Sequence, residues 1–330
     1  MPSFDLVNYA LRPNKNVERK IIVECLSALQ PYFNMQAYRY VGLGSLWFID
    51  FILVHKMLQI KDMISIEKEE YAQRAEFNKP FACIEVKYGE TTTILPQLSL
   101  GDKPSIVWLD YDSGLEGPVL GDTFTVCRQV TSGSVFLITV NAHPGKIRAK
   151  GDELTSSYTT HKSLSNREKF ETGFRYYTDE YVGDLKLEPL PSRVHKEDKF
   201  PKFIGNLLLA HIKRATRQSG NNFKPLFNFY YKDGAPMVTV GGMIANQEHL
   251  SSLEQCQLFD KFEYLTGEEQ YSIGVPLLTP KEKLIFDQLL PSDEPPSEDK
   301  MKDIGLNLTK EQIAAYHKFY RLYPMFGEFL

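Results

Sequence analysis

Apolar positions fall into short runs separated by stretches of mixed polarity. Asn16 to Leu29 comes first, with Val17, Ile21, Ile22, Leu26 and Leu29 at helical spacing and charges between them. Ala37 to Val41 reads as a strand. Ser45 to Leu58 is too long for a strand and lacks alternation, so it predicts a buried helix. Met63 to Ile66, Ala82 to Val86, Ser105 to Leu109 and Val135 to Val140 predict four more strands. Lys68 to Phe77 predicts a polar helix, Thr92 to Leu98 a short helix or loop, and Thr123 to Val130 part of a further helix. Short apolar strands with helices between them indicate a parallel sheet covered on both faces.

The rhythm breaks after Val140. Asn141 to Pro201 is polar, with one helical stretch near Ser165 to Tyr177. Phe203 to Gln218 predicts an amphipathic helix with Ile204, Leu207, Leu208, His211, Ile212 and Ala215 on one side. In 226-LFNFYYKDGAPMVTVGGMI-244, aromatic and β-branched runs flank Lys-Asp-Gly-Ala, a hairpin signal. From Leu253 onward the pattern predicts helices and loops, clearest at 280–290 and 309–323, with 291–300 a proline-rich acidic linker.

The chain has 330 residues, 42% apolar and 24% charged, which suits a globular protein. Its net charge of -4 argues against nonspecific coating of nucleic acid but leaves room for a local basic patch. The four cysteines, Cys25, Cys83, Cys127 and Cys256, form no CxxC pair, so neither a metal knuckle nor a disulfide framework is expected. The N-terminus lacks the apolar core of a secretory signal. Val41 to Leu58 is short for a membrane span and carries Asp50 and His55. It reads as a core element of a cytoplasmic protein with no membrane partner.

The strand ends carry the candidate chemistry. Gly42 and Gly44 follow the first strand, where glycines let backbone N–H groups approach a ligand. Glu67 ends the second strand, where a carboxylate can accept from both ribose hydroxyls. Tyr88, Gly89 and Glu90 follow the third strand, Asp110, Tyr111 and Asp112 the fourth, Asn141 and His143 the fifth. Ligands of doubly wound sheets bind at this edge. No GxxxxGK[ST] occurs, which excludes a P-loop, and Trp47 stands where a dinucleotide fingerprint needs its third glycine.

These residues resemble those of class I S-adenosylmethionine-dependent methyltransferases. The matching segments are YVGLGS, SIEKE, VKYGET, VWLDYDSGL and the 226–244 hairpin, within roughly residues 15 to 245. Where that family usually has a further glycine, this chain has Leu46. The resemblance implies an α/β, Rossmann-like methyltransferase fold: a mainly parallel sheet closed by an antiparallel hairpin. It implies a domain over 1–250 with an insertion at about 146–200, and a C-terminal helical appendage over 251–330.

It further implies S-adenosylmethionine as cofactor. Gly42, Leu43, Gly44 and Ser45 would face its methionine part, Glu67 its ribose, Gly89 and Glu90 its adenine, and Asp110 and Tyr111 its sulfonium. Asp112 and His143 would serve the acceptor side as catalytic groups, without a metal. The strand-four end lacks the [DNS]PP[YFW] motif of base-methylating and amide-methylating enzymes, and O-methyl transfer is one reading. The acceptor, a small molecule or a macromolecule, is open. A catalytically inactive cofactor-binding or sensor module is one alternative. A nucleic-acid-directed enzyme using 146-KIRAK-150 and 211-HIKRATRQSGNNFK-224 is another. Arg12 and Lys15 either hold an anionic group near the cofactor or are solvated beside a helix capped by Asn16.

Overall fold

The computed structural model describes residues 12–44, 46–115, 117–156, 164–182 and 190–325. Among the described residues, eight strands form one sheet: β1 (Arg39–Leu43), β2 (Asp62–Glu67), β3 (Ile84–Tyr88), β4 (Ser105–Asp110), β5 (Ser134–Asn141), β6 (Asn222–Asp233), β7 (Ala235–Ala245) and β8 (Tyr271–Ile273). Their order is β3-β2-β1-β4-β5-β7-β6-β8. The first five are mutually parallel, β7 runs antiparallel between β5 and β6, and β8 lies parallel to β6. This is the Rossmann-like arrangement expected, with the hairpin in place.

Alternate side chains of each strand reach opposite layers. Tyr40 and Trp108 join one core with Val17 and Ile21 of α1 (Pro13–Ser27) and Phe51 and Val54 of α2 (Ile49–Leu58). Val41, Val107 and Leu109 join the other core. Its covers are α4 (Gly117–Gln129), α5 (Gly145–Ser156), α6 (Asn166–Val182) and α7 (Phe200–Gln218), while α3 (Ala72–Asn78) lies between β2 and β3 in sequence. The central strands β4 and β5 are almost wholly apolar because both faces are covered, whereas the edge strand β3 exposes Glu85.

Several elements differ from the sequence pattern. The first helix starts at Pro13, three residues before its apolar period begins, because proline at the first position loses an N–H that no helix would satisfy. Asn16 is therefore inside the helix and not its cap. The N-terminus is instead closed by Asp233, whose carboxylate accepts from the backbone N–H groups of Asn14 at 3.2 Å and Lys15 at 2.8 Å. The helix expected from Ser45 begins only at Ile49, after Phe48 turns in left-handed backbone (φ 46°). Trp47 is 42% exposed, whereas Leu46 and Phe48 are buried.

The pattern predicts only helices and loops for the C-terminal part, yet Tyr271–Ile273 adds a strand to the sheet edge. This part also supplies α8 (Gln247–Gln255), α9 (Pro280–Asp287), α10 (Glu298–Asp303) and α11 (Lys310–Phe319). The proline-rich acidic stretch thus contains the start of α10, capped by the Ser297 side chain. Phe286, Ile313 and Tyr316 share the core of Val17 and Ile21. Between β5 and β6, α5 and α6 cross where two glycines remove the side chains between them. A Cβ on Gly151 would overlap the Lys169 carbonyl, and one on Gly173 the Ile147 carbonyl. No described helix is long and apolar enough to cross a membrane.

Candidate active site

The parallel registers bring the strand ends to one edge. Leu43 pairs with Ile66, Glu67 with Tyr88, and Asp110 with Thr139. The Gly44 amide donates to the Ile66 carbonyl at 2.6 Å, and the Gly89 amide to the Glu67 carbonyl at 3.0 Å. Gly89 has φ +142°, which only glycine adopts without strain. Gly42, Leu43, Gly44, Glu67 and Gly89 are therefore assembled side by side. Ser45 lies outside the described residues.

Glu67 and Gly44 form the tightest part of this edge. A Cβ at Gly44 would stand 2.6 Å from Glu67 Oε2. Glu67 is buried, its Oε1 accepts from the Lys68 amide at 2.9 Å, and its Oε2 has no partner. Burial raises its carboxyl to about pKa 7. A buried carboxylate oxygen left open beside a glycine suits a ligand with vicinal hydroxyl donors, and the ribose of S-adenosylmethionine is such a group. Glu90, by contrast, is exposed at the head of the single turn Thr91–Ile94.

Asp110 points into a polar network beneath the edge. Lys15 Nζ lies 2.9 Å from Asp110 Oδ2 and 2.9 Å from Glu18 Oε2, with its side chain 3% exposed. The ammonium also sits 5.1 Å from the Trp108 ring centroid and 5.4 Å from that of Tyr231. Trp108 Nε1 donates to Thr139 Oγ1 at 3.1 Å, Thr139 bonds to Thr239 at 2.7 Å, and Thr239 donates to Glu18 Oε1. Indole N–H can only donate, so the chain runs one way and ends on a carboxylate. Burial still pushes the Glu18 carboxyl up, opposed by Lys15. The solvated reading of Lys15 is therefore overturned: its charge is spent on two carboxylates inside the protein.

Arg19, one turn further on, carries no signal in the sequence. It is buried, its Nη2 is 4.0 Å from Asp110 Oδ2, and its Nε and Nη1 have no hydrogen-bond partner. Asp50, at the start of α2, accepts from the Tyr40 hydroxyl at 2.5 Å. Its carboxyl is raised by burial and held back by Arg19. No spacing in the sequence links Arg19, Asp50 and Asp110, which meet only when α1 docks across β1 and β4.

The remaining candidates lie on the loops after β4 and β5. Tyr111 is turned toward α4, its hydroxyl donating to Asp122 at 2.6 Å beside Thr91. Asp112 is exposed. The Asn141 amide donates to the Ser113 carbonyl at 2.9 Å, which ties the two loops together. Asn141 Oδ1 accepts from the His143 amide at 2.9 Å. His143 Nδ1 accepts from the Gly145 amide at 3.0 Å, and Nε2 is 3.1 Å from Glu197 Oε1. Both ring nitrogens are thus engaged, in the tautomer with the proton on Nε2. Among the described residues, no group of three His, Cys, Asp or Glu side chains could hold a metal ion.

A family model described as "Putative O-methyltransferase" matches residues 7–330. The chain belongs to this O-methyltransferase family. The open Glu67 oxygen beside Gly44 fits S-adenosylmethionine as a methyl donor. No curated protein sequence matches the chain. Among solved structures, the methyltransferase is similar to Trm1 from Pyrococcus horikoshii in complex with S-adenosyl-L-methionine, at 12% identity and TM-score 0.39. That match covers 72% of this chain and 57% of the other. It is also similar to the N-methyltransferase NodS from Bradyrhizobium japonicum WM9, at 6% identity and TM-score 0.37, covering 70% and 97%. A third is a point mutant of the 16S rRNA (adenine(1408)-N(1))-methyltransferase from Catenulisporales acidiphilia, at 9% identity and TM-score 0.34, covering 68% and 91%. Likeness at this distance transfers no residue role to the methyltransferase.

Proposed function

We propose that this methyltransferase moves a methyl group from S-adenosylmethionine to a hydroxyl oxygen of an acceptor seated between the loops after β4 and β5. The observation that carries the reading is the buried Glu67 Oε2, without a partner and next to Gly44. The cofactor supplies an electrophilic methyl group on a sulfonium. Glu67 holds the ribose, the backbone at Gly42, Leu43, Gly44 and Ser45 faces the methionine part, and Gly89 and Glu90 border the adenine. Arg19 offers Nε and Nη1 to the methionine carboxylate, the role that the sequence suggests for Arg12 or Lys15. Lys15 keeps Asp110 oriented on the cofactor side, and Tyr111 anchors the same loop to α4.

On the acceptor side, Asp112 would take the proton of the acceptor hydroxyl as its oxygen bonds to the methyl carbon that the cofactor supplies, the electron pair of the broken carbon–sulfur bond staying on sulfur. His143, clamped by Gly145 and Glu197, fixes the β5 loop against the acceptor and becomes a second proton acceptor only if its Gly145 bond opens. Four free thiols support a cytoplasmic, reducing location. The C-terminal segment 251–330 is an appendage to the 1–250 methyltransferase domain, and its Phe286, Ile313 and Tyr316 share one core with Val17 and Ile21 of α1.

Titration calorimetry with S-adenosylmethionine on the full chain tests the reading. One-site binding that Glu67→Ala weakens supports it. No binding by the parent protein overturns it.

A further inference from the structure

The insertion places a group of cations, of which only Arg167 is paired to a carboxylate among the described residues, beside the acceptor loops. Arg148 sits in the first turn of α5, which begins two residues after His143. Arg167 sits in the first turn of α6, paired to Glu171 at 2.7 Å. The turn between α6 and α7 adds Arg193, His195 and Lys196, closed by a bond from the Lys196 amide to the Arg193 carbonyl at 2.9 Å and pinned by buried Val194. Glu197, the next residue in that turn, is the one that reaches His143. The cations and the end of β5 are therefore joined by one side-chain contact.

Three features separate this cluster from an ordinary solvated surface. First, among the described residues no carboxylate lies in salt-bridge range of Arg148, Arg193 or Lys196, whereas Lys150, Lys169 and Lys199 each have one. Second, Arg193 adopts left-handed backbone (φ 63°), a conformation that costs a non-glycine residue on the order of 1 kcal/mol and concentrates at functional positions. Third, His195 Nδ1 is buried without a partner. Burial of its ring, then the charges of Lys196, Arg167, Arg148 and Arg193, hold the imidazole below its ordinary pKa. Like charges have been gathered around a neutral donor–acceptor ring. Such an arrangement repels itself until an anion arrives. The α5 and α6 crossing at Gly151 and Gly173 fixes the spacing of Arg148 and Arg167, so the cluster stands on rigid elements.

We infer that Arg148, Arg193 and Lys196, with Arg167 and His195, receive a phosphate group of the methyl acceptor. The inference rests on the methyltransferase reading and gives the acceptor a class: a phosphate-bearing molecule whose methylated oxygen lies on the Asp112 side of the anchored phosphate. Arginine clusters suit phosphate because the guanidinium fork pairs with its oxygens. The phosphate belongs either to a small phosphorylated metabolite or to a nucleic-acid backbone.

The test compares the full-length parent protein with the variant Arg148→Gln/Arg193→Gln/Lys196→Gln and with the charge control Lys302→Gln on α10. Each is titrated with S-adenosylmethionine, with inorganic pyrophosphate and with a fluorescent twelve-nucleotide single-stranded RNA at several salt concentrations. The expected result is at least a tenfold loss of pyrophosphate or RNA affinity in the triple variant. S-adenosylmethionine affinity should stay within twofold, and Lys302→Gln should behave as the parent. Binding of pyrophosphate alone identifies a small phosphorylated acceptor. Binding of RNA with a salt slope that falls in the triple variant identifies a nucleic-acid backbone. Failure of the parent to bind either probe overturns the inference, as does an equal loss in Lys302→Gln. If S-adenosylmethionine itself does not bind, the methyltransferase reading has failed instead, so the two failures are separable.

Discussion

Lys15 Nζ and Asp110 Oδ2 meet 2.9 Å apart across the interface between α1 and the end of β4. The same ammonium is 2.9 Å from Glu18, which is fully buried. Removing one partner of a buried ion pair typically costs about 3–5 kcal/mol, because the other charge stays behind unpaired. Lys15→Met should therefore destabilise the protein by roughly that amount. Adding Glu18→Gln to it should recover part of the loss. Urea unfolding of the single and double variants decides the matter. A single variant as stable as the parent would show that the pair is not structural.

Glu67 couples stability and binding to pH in opposite directions. Its carboxyl is raised from 4.5 to about 7 by burial, so the charged form is disfavoured in the fold. For the cofactor-free protein, stability should fall as pH rises from 4.5 to 7 and then level off, by on the order of 3 kcal/mol. Glu67→Gln should remove that slope. Ribose hydroxyls donate best to the ionised carboxylate, so S-adenosylmethionine affinity should rise with pH up to about 7. Binding about one pH unit below that value should release a proton. Calorimetry in buffers of different ionisation heat measures that proton, and the Gln variant should release none.

Gly44→Ala should leave the fold intact yet weaken the cofactor. Its new methyl would press on Glu67 Oε2 at 2.6 Å and on the Ile66 carbonyl at 3.0 Å. Overpacking of this kind costs about 1–3 kcal/mol, or roughly five- to 150-fold in affinity if it falls on the bound state. An unchanged dissociation constant would remove the glycine from the site.

Arg19→Met separates the two ends of the cofactor. A hydrogen bond to a charged group contributes about 1.5–3 kcal/mol, so S-adenosylmethionine should bind roughly ten- to 150-fold more weakly. Methylthioadenosine, which has no carboxylate, should bind parent and variant alike. Equal losses for both ligands would show that Arg19 acts only through the fold.

Asp112→Asn should lower turnover by about 10²–10⁴ with cofactor binding unchanged. Glu197→Gln should have a smaller effect on turnover, since it only loosens the clamp on His143. Turnover can be followed with radiolabelled cofactor once an acceptor is in hand. Normal rates in Asp112→Asn would exclude it as the base.

The strands are legible in the sequence because they are short, apolar and β-branched, as two-sided burial requires. The glycine and acid at the ends of β1 and β2 are legible for the same reason: each directly follows such a run. Arg19 is not, because in the sequence it is one charge on the polar stripe of an amphipathic helix. Only docking against Asp50 and Asp110 makes it special. The start of α1 is hidden because its cap, Asp233, comes from the far side of the chain. β8 escapes because three residues carry no period, and Tyr271–Ile273 is a strand only by virtue of its neighbour, β6. The boundary of α2 is blurred because apolar content continues through Leu46 and Phe48 although the backbone there turns.

The bond from Asp233 to the amides of Asn14 and Lys15 has a bearing on biosynthesis. More than two hundred residues separate the helix from its cap. A chain emerging from the ribosome can make the first strands and their crossovers, yet the Asn14 and Lys15 amides at the start of α1 have no cap until the last hairpin has closed. Contacts of such sequence separation form late, after the entropy of a long loop has been lost. A nascent or prematurely terminated chain would thus carry α1 with an uncapped start even with its glycine loop complete. The entry to the candidate cofactor edge is completed by the last hairpin of the sheet to be made.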